Sequence, residues 1–254
     1  MMKFLLVTDL DNTLVGDEEA TEALNQALRA RREQFCLVYA TGRSYPSARQ
    51  LKAEAQLLEP DYWIASVGSE IYHQGEVDPR WAECLSQGWN REAVWAIARR
   101  FPALAPQPQS EQNPGKASFW LERSADFSVI DQLQAELHRA KLAVQVIFSS
   151  GRDVDLLPRG GNKGNATAYL RARLRVRPED TLVCGDSGND ISLFQQLARG
   201  AIVNNAQPEL LRWYYERRHP WHYLARSPYA RGILEALHHF NFVKRSKVMS
   251  FGCW

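Results

Sequence analysis

Apolar residues in this chain fall into short unbroken runs separated by longer stretches in which they recur every three or four positions. Phe4-Leu5-Leu6-Val7, Cys36-Leu37-Val38-Tyr39-Ala40, the run 62–67 and Thr181-Leu182-Val183-Cys184 are of the first kind and predict strands buried on both faces. Between them, residues 18–33 carry Ala20, Leu24, Ala27 and Leu28 on one helical face. Ser44 at a cap position and Pro46 in the first turn predict a second helix, which continues to Leu58 and stops at Glu59-Pro60. Strand and helix alternate, the pattern of a parallel α/β sheet. Gly68-Ser69-Glu70-Ile71-Tyr72 opens a less regular segment, with turn signals at Gly75 and Asp78-Pro79.

From about Trp81 the pattern changes. Residues 90–101 read as an amphipathic helix, followed by a loop holding Pro102, Pro106, Pro108 and Pro114. A strand (117–122), a helix (127–140) and two strands (143–149 and 153–157) around the Ser149-Ser150-Gly151 turn come next. That order predicts an antiparallel layer. Residues 81–158 are therefore expected to form a smaller α+β cap, inserted into a doubly wound α/β core made of 1–80 and 159–254. An insertion beside the strand ends can serve as a lid. Past it, Asn162 caps a helix with Lys163 in its first turn, and a helix (191–199), a strand (201–203) and a helix through Tyr215 follow. Residues 218–226, rich in His, Trp and Tyr, read as a packed aromatic loop; His219 and His222 have no metal-ligand spacing. The final helix is expected over 230–242, with a loosely held tail from 244 to 254.

At 254 residues and 45% hydrophobic composition, the chain can build one sizeable core and a second smaller one. Lysine and arginine exceed aspartate and glutamate by only 31 to 29, so nothing in the charge calls for a nucleic-acid or acidic-membrane partner. The four cysteines, Cys36, Cys84, Cys184 and Cys253, form no paired spacing and fit a reducing compartment. With no long apolar segment before Asp9, neither a signal peptide nor a membrane span is expected, and a soluble, cytoplasmic protein is.

The chemistry collects at the ends of the apolar runs. The first passes into Asp9-Leu10-Asp11-Asn12-Thr13, the second into Thr41-Gly42-Arg43, and the run at 181 into Gly185-Asp186-Ser187-Gly188-Asn189-Asp190. In a parallel sheet all three loops open on one edge, where ligands bind. Asp9 and Asp11 alone fit either a nucleophile with an acid/base partner or a solvated acidic turn. Together with Asp186 and Asp190 they could not all stay ionised in one small site without a cation. An all-oxygen set of this kind suits Mg²⁺. Lys163 opposes the dipole of its own helix, a physical reason to expect an anion beside it. With Thr41 it would hold a phosphoryl group between positive charge and donors.

These four motifs, in this order, resemble those of the haloacid dehalogenase superfamily phosphatases, and the insertion resembles that superfamily's type-two cap. Within it the chain is most similar to the sucrose-phosphate phosphatases, through residues 9–16 and 40–45, the segment at Glu70, Gln112-Asn113-Pro114, Lys116 and Val154-Asp155-Leu156-Leu157-Pro158. The resemblance implies Mg²⁺-dependent hydrolysis of sucrose 6-phosphate through an aspartyl phosphate on Asp9. Asp11 would protonate the departing sugar oxygen and then activate water. Asp9, the main-chain carbonyl of Asp11 and Asp186 would hold the metal, with Asp190 acting through water or by orienting Lys163. Thr41, Gly42 and Lys163 would grip the phosphate, with Arg43, Glu70, Lys116 and Asn189 as candidate contacts to the substrate. Other readings stay open: a phosphatase of a trehalose or mannosyl phosphate, or a non-catalytic sugar-phosphate-binding partner of the sucrose-phosphate synthase. A monomer that associates with that synthase completes the expectation.

Overall fold

The computed structural model describes residues 4–244. The strands are β1 (Phe4–Thr8), β2 (Phe35–Ala40), β3 (Tyr62–Ala65), β4 (Glu70–His73), β5 (Glu76–Val77), β6 (Leu104–Pro106), β7 (Ala117–Leu121), β8 (Val144–Ser149), β9 (Asp153–Pro158), β10 (Thr181–Gly185), β11 (Arg199–Ile202) and β12 (His222–Leu224). The helices are α1 (Glu18–Arg29), α2 (Tyr45–Glu54), α3 (Pro79–Ser86), α4 (Arg91–Ala98), α5 (Ser128–Arg139), α6 (Lys163–Leu174), α7 (Ile191–Phe194), α8 (Pro208–Glu216) and α9 (Tyr229–His239).

The large sheet has the order β12-β11-β10-β1-β2-β3-β4-β5, parallel from β12 to β3 and antiparallel in the last two pairs. The chain winds outward from β1 to β3 on one side, then returns to β10 on the other. β1 is thus where the winding reverses, and the crevice beyond its C-terminal end is where such sheets bind ligands. Both faces are covered, which explains the unbroken apolar runs. Phe4 and Leu6 pack with α1, α2 and α9, through Leu24, Ala48 and Ile233, while Leu5 and Val7 pack with α3, α6, α7 and α8, through Trp81, Leu170, Leu193 and Leu210.

The second sheet, β6-β7-β9-β8, is antiparallel, as its hairpin turn predicts. It alternates. Ala117, Phe119, Leu121, Val154 and Leu156 pack against α4 and α5, and the intervening positions Ser118, Asp153 and Asp155 lie on the other face. That polar face is the one turned to the core's crevice.

Several elements differ from expectation. Position 81 lies inside α3, whose Trp81 and Leu85 pack with the large sheet; Trp89 packs against the smaller cluster, whose buried residues begin with Val94 on α4. Residues 222–224 are an edge strand, not a loop, paired through Gly200 with His222 and Ile202 with Leu224. Three residues are too few to display a period of two. β6 in the proline-rich segment escaped for the same reason, and its Pro106 sits where an edge strand tolerates it. The helix expected over 191–199 ends at Phe194. Ser44 occupies the cap position of α2 but makes no side-chain capping bond, whereas Asn162 accepts from Asn165 N at the start of α6. The expected tail beyond Lys244, with Cys253, lies outside the described residues. Among the described residues no helix is long and apolar enough to cross a membrane.

Candidate active site

Asp9 follows β1 directly. Its N–H donates to the Cys184 carbonyl at 3.0 Å, so the chain stays tied to β10 for one residue past the strand. The turn then closes with Thr13, Leu14 and Val15 N–H groups all on the Leu10 carbonyl, and Leu10 itself is fully buried. This leaves Asp9 buried and Asp11 at the rim.

The loop Thr41-Gly42-Arg43 is fixed from the side of β3. Ser66 and Val67 take left-handed conformations, φ 52° and 62°, and their N–H groups donate to the carbonyls of Arg43 and Thr41. Such backbone in a β-branched residue is strained and persists only where its surroundings enforce it. Gly68, φ 104°, completes the turn, and a Cβ there would stand 2.2 Å from the Asn162 carbonyl carbon. Only glycine lets this turn pass under the start of α6. That approach sets Lys163 in the crevice.

Lys163 is fully buried and donates to Asp9 Oδ1 (2.7 Å), Asp190 Oδ1 (2.7 Å) and Asn189 Oδ1 (2.6 Å), which uses all the donors an ammonium has. Burial alone would lower its pKa, but Asp190 and Asp9 hold it above the usual lysine range. Asp190 spends its other oxygen on the N–H groups of Asp186 (3.0 Å) and Ser187 (3.1 Å). Asp186 accepts from Thr13 Oγ1 at 2.8 Å. Three buried carboxylates, Asp9, Asp186 and Asp190, therefore lie within reach of one common ligand, and two of them, Asp9 and Asp190, are paired with one buried ammonium. The excess of negative charge raises the carboxylate pKa values. Burial, then the neighbouring Asp190 and Asp186, push Asp9 well above the carboxylate range, and burial with Asp190 pushes Asp186 up to about 7. A divalent cation would relieve that excess, and Asp9 and Asp186 both line the cavity.

The cavity is about 300 Å³, with Asp9, Asp11, Arg43 and Asn189 on the core side and Lys116, Asp153 and Asp155 on the cap side. Lys116 is buried, 3.4 Å from the Gly42 carbonyl and 3.7 Å from Asp155 Oδ1.

Not every expected residue lies where the sequence put it. Asp11 does not join the acidic cluster. Both its oxygens are held by Arg43, Nε to Oδ2 and Nη2 to Oδ1, each at 2.7 Å, so the residue expected to touch substrate grips the expected acid/base group. That hydrogen bonding keeps Arg43 above its ordinary pKa. Asp190 has its oxygens occupied and does not line the cavity, so of the buried cluster Asp9 and Asp186 are the carboxylates facing it. Glu70 is outside the cavity altogether. It accepts from Ser66 Oγ at 3.1 Å and so braces the strained turn that holds Thr41. Asp153 and Asp155 were not among the expected site residues, Asp155 entering only through the segment that carries the family resemblance, although acids alternating with Val154 and Leu156 signal a polar strand face.

Residues 2–241 match the family model of sucrose-6F-phosphate phosphohydrolase. The chain belongs to this family. Members and relatives of the sucrose-6F-phosphate phosphohydrolase family include the probable sucrose-phosphatase 2 of Arabidopsis thaliana, 39% identical over 94% of this chain and 60% of its own length. The chain thus spans about 60% of the plant relatives it matches. Mannosylfructose-phosphate phosphatase of Agrobacterium fabrum is 32% identical, over 95% of this chain and 98% of its own. The sucrose-phosphatase of Synechocystis sp., solved in complex with sucrose and phosphate, superposes with a TM-score of 0.93 at 56% identity, covering 95% of this chain and 99% of that one. The fold is that of the haloacid dehalogenase superfamily.

Proposed function

We propose that the protein hydrolyses sucrose 6-phosphate to sucrose and phosphate through an aspartyl phosphate on Asp9. The observation that carries the reading is the likeness, at 56% identity over nearly both chains, to a sucrose-phosphatase solved with sucrose and phosphate. The geometry supports it. Asp9 lies at the floor of the cavity with one oxygen fixed by Lys163, which orients the carboxylate for in-line attack on phosphorus. Thr41, Gly42 and Lys163 would grip the phosphate: Gly42 lines the cavity, and Lys163 is hydrogen-bonded to two of its lining residues, Asp9 and Asn189. Asp11 stands at the rim of the cavity on the core side, where it could meet the departing sugar oxygen. Arg43 must loosen its grip before Asp11 can donate a proton to that oxygen and later take one from water. Asp9, Asp186 and the Asp11 carbonyl would hold Mg²⁺, which when bound neutralises charge on the phosphoryl oxygens. A mannosylfructose phosphate is the alternative substrate, favoured by the relative matched along almost its whole length. A cytoplasmic monomer associating with the sucrose-phosphate synthase belongs to the same reading.

Phosphate release measured across a panel of phosphosugars tests the assignment. Sucrose 6-phosphate should be the best substrate, and a clear preference for another phosphosugar would refute it. Activity should require Mg²⁺ and fall with excess Ca²⁺, which takes more ligands at longer distances and would disturb in-line attack. Full activity in a chelator would rule the metal out.

The cap should choose the sugar. Lys116→Met keeps the buried volume but removes the charge, and losing one charge-assisted hydrogen bond of about 1.5 to 3 kcal/mol should lower kcat/KM for sucrose 6-phosphate by about tenfold or more relative to a small phosphate ester. Glu70→Ala should instead slow both substrates alike, because Glu70 supports the turn behind Thr41. A selective loss in Glu70→Ala, or an equal one in Lys116→Met, would reverse these roles.

A further inference from the structure

Glu209 stands in the first turn of α8, outside the acidic cluster, and the proposed reaction makes no use of it. Its Oε1 accepts two main-chain N–H groups from different parts of the molecule: Ser150 in the β8–β9 turn of the cap (2.9 Å) and Gly188 in the loop that carries Asp186 and Asp190 (3.3 Å). The start of α8 is itself tied to that loop, since Gln207 N–H donates to the Asp186 carbonyl at 2.7 Å. Cap and loop meet backbone to backbone. A Cβ at Gly188 would stand 2.4 Å from the Phe148 carbonyl oxygen and 3.1 Å from Glu209 Cγ. Ser150 and Gly151 form the tight turn, φ 54° and 63°, and Ser149 and Ser150 line the cavity. At the opposite rim the cap touches the core through Glu111, which accepts from Ser44 N–H at 3.3 Å, and through Lys116 on the Gly42 carbonyl.

We propose that Glu209 is a positioning residue that holds the cap hairpin down on the 185–190 loop and so fixes the cap face at the distance from which it reads the sugar. The bond from Gly188 joins two parts of the core and can persist wherever the cap lies, but the bond from Ser150 exists only with the hairpin down, so its contribution belongs to the closed form. A phosphosugar, which needs the cap over it, depends on that form. A small ester held by the core alone does not.

The proposal rests on the phosphosugar-phosphatase reading, and its test separates the two. Steady-state kinetics of wild type, Glu209→Ala and Glu209→Gln are measured with sucrose 6-phosphate and with p-nitrophenyl phosphate. Glu209→Ala should raise KM for the sugar phosphate about fivefold, and Glu209→Gln, which keeps a neutral acceptor, about twofold, while kcat/KM for p-nitrophenyl phosphate stays unchanged. Hydrogen exchange in the 144–158 segment, measured without substrate, should be faster in Glu209→Ala than in wild type and intermediate in Glu209→Gln. Equal losses on both substrates, or unchanged exchange in that segment, would overturn the proposal. If wild type hydrolyses only the small ester, the substrate reading falls, and the exchange result alone still decides whether Glu209 holds the hairpin.

Discussion

Asp9→Asn should lower the rate of phosphate release by at least about a thousandfold and leave the melting temperature unchanged or raised. The two halves of this expectation have different origins. The loss of rate follows from the nucleophile: an amide of the same shape, still held by Lys163, has no oxygen basic enough to displace a sugar alkoxide from phosphorus. The unchanged stability follows from the charge balance. Burial and the nearby Asp190 and Asp186 already raise the pKa of Asp9, so its ionised form is a cost to the fold that Lys163 only partly offsets. Removing one negative charge leaves Lys163 with Asp190 and Asn189 and relieves repulsion with Asp186. Paired turnover and thermal-melt measurements decide it. Substantial turnover by a folded Asp9→Asn protein would take the nucleophile's role away from Asp9, and a large fall in melting temperature would show that the ion pair with Lys163 outweighs the repulsion.

What the sequence made legible was whatever one strand end could announce by itself. β1, β2 and β10 are continuous apolar runs because both their faces are covered, and each passes straight into its polar loop, so Asp9, Thr41 and Asp186 could be placed at one edge before any distance was known. Lys163 was legible through its unfavourable position at a helix N-terminus. What failed were statements about which way a side chain turns. Asp11 and Arg43 are 32 positions apart, and nothing local says that a guanidinium occupies both carboxylate oxygens. Glu70 shares a loop region with the site, yet its strand directs it to Ser66. Glu209 was invisible because its partners are main-chain groups, which carry no residue-type signal.

Lys163→Met tests the remaining half of the site and should have the larger effect on the fold. The lysine is buried with all its donors engaged, and removing it leaves Asp9 and Asp190 facing each other with no cation of the chain between them. Breaking a buried pair by removing one partner costs about 3 to 5 kcal/mol, which a denaturant titration resolves easily. Activity should fall with it, since the site loses the buried cation that is hydrogen-bonded to the nucleophile. Because a protein this destabilised could lose activity merely by unfolding, the informative variant is Lys163→Met with Asp190→Asn. The asparagine oxygen still accepts from the N–H groups of Asp186 and Ser187, while the unpaired charge is gone, so much of the lost stability should return. Activity should not. If the double variant recovers stability and turnover together, Lys163 serves only to neutralise Asp190. If it recovers stability alone, the lysine acts on the phosphate and on Asp9, as its hydrogen bond to the nucleophile implies.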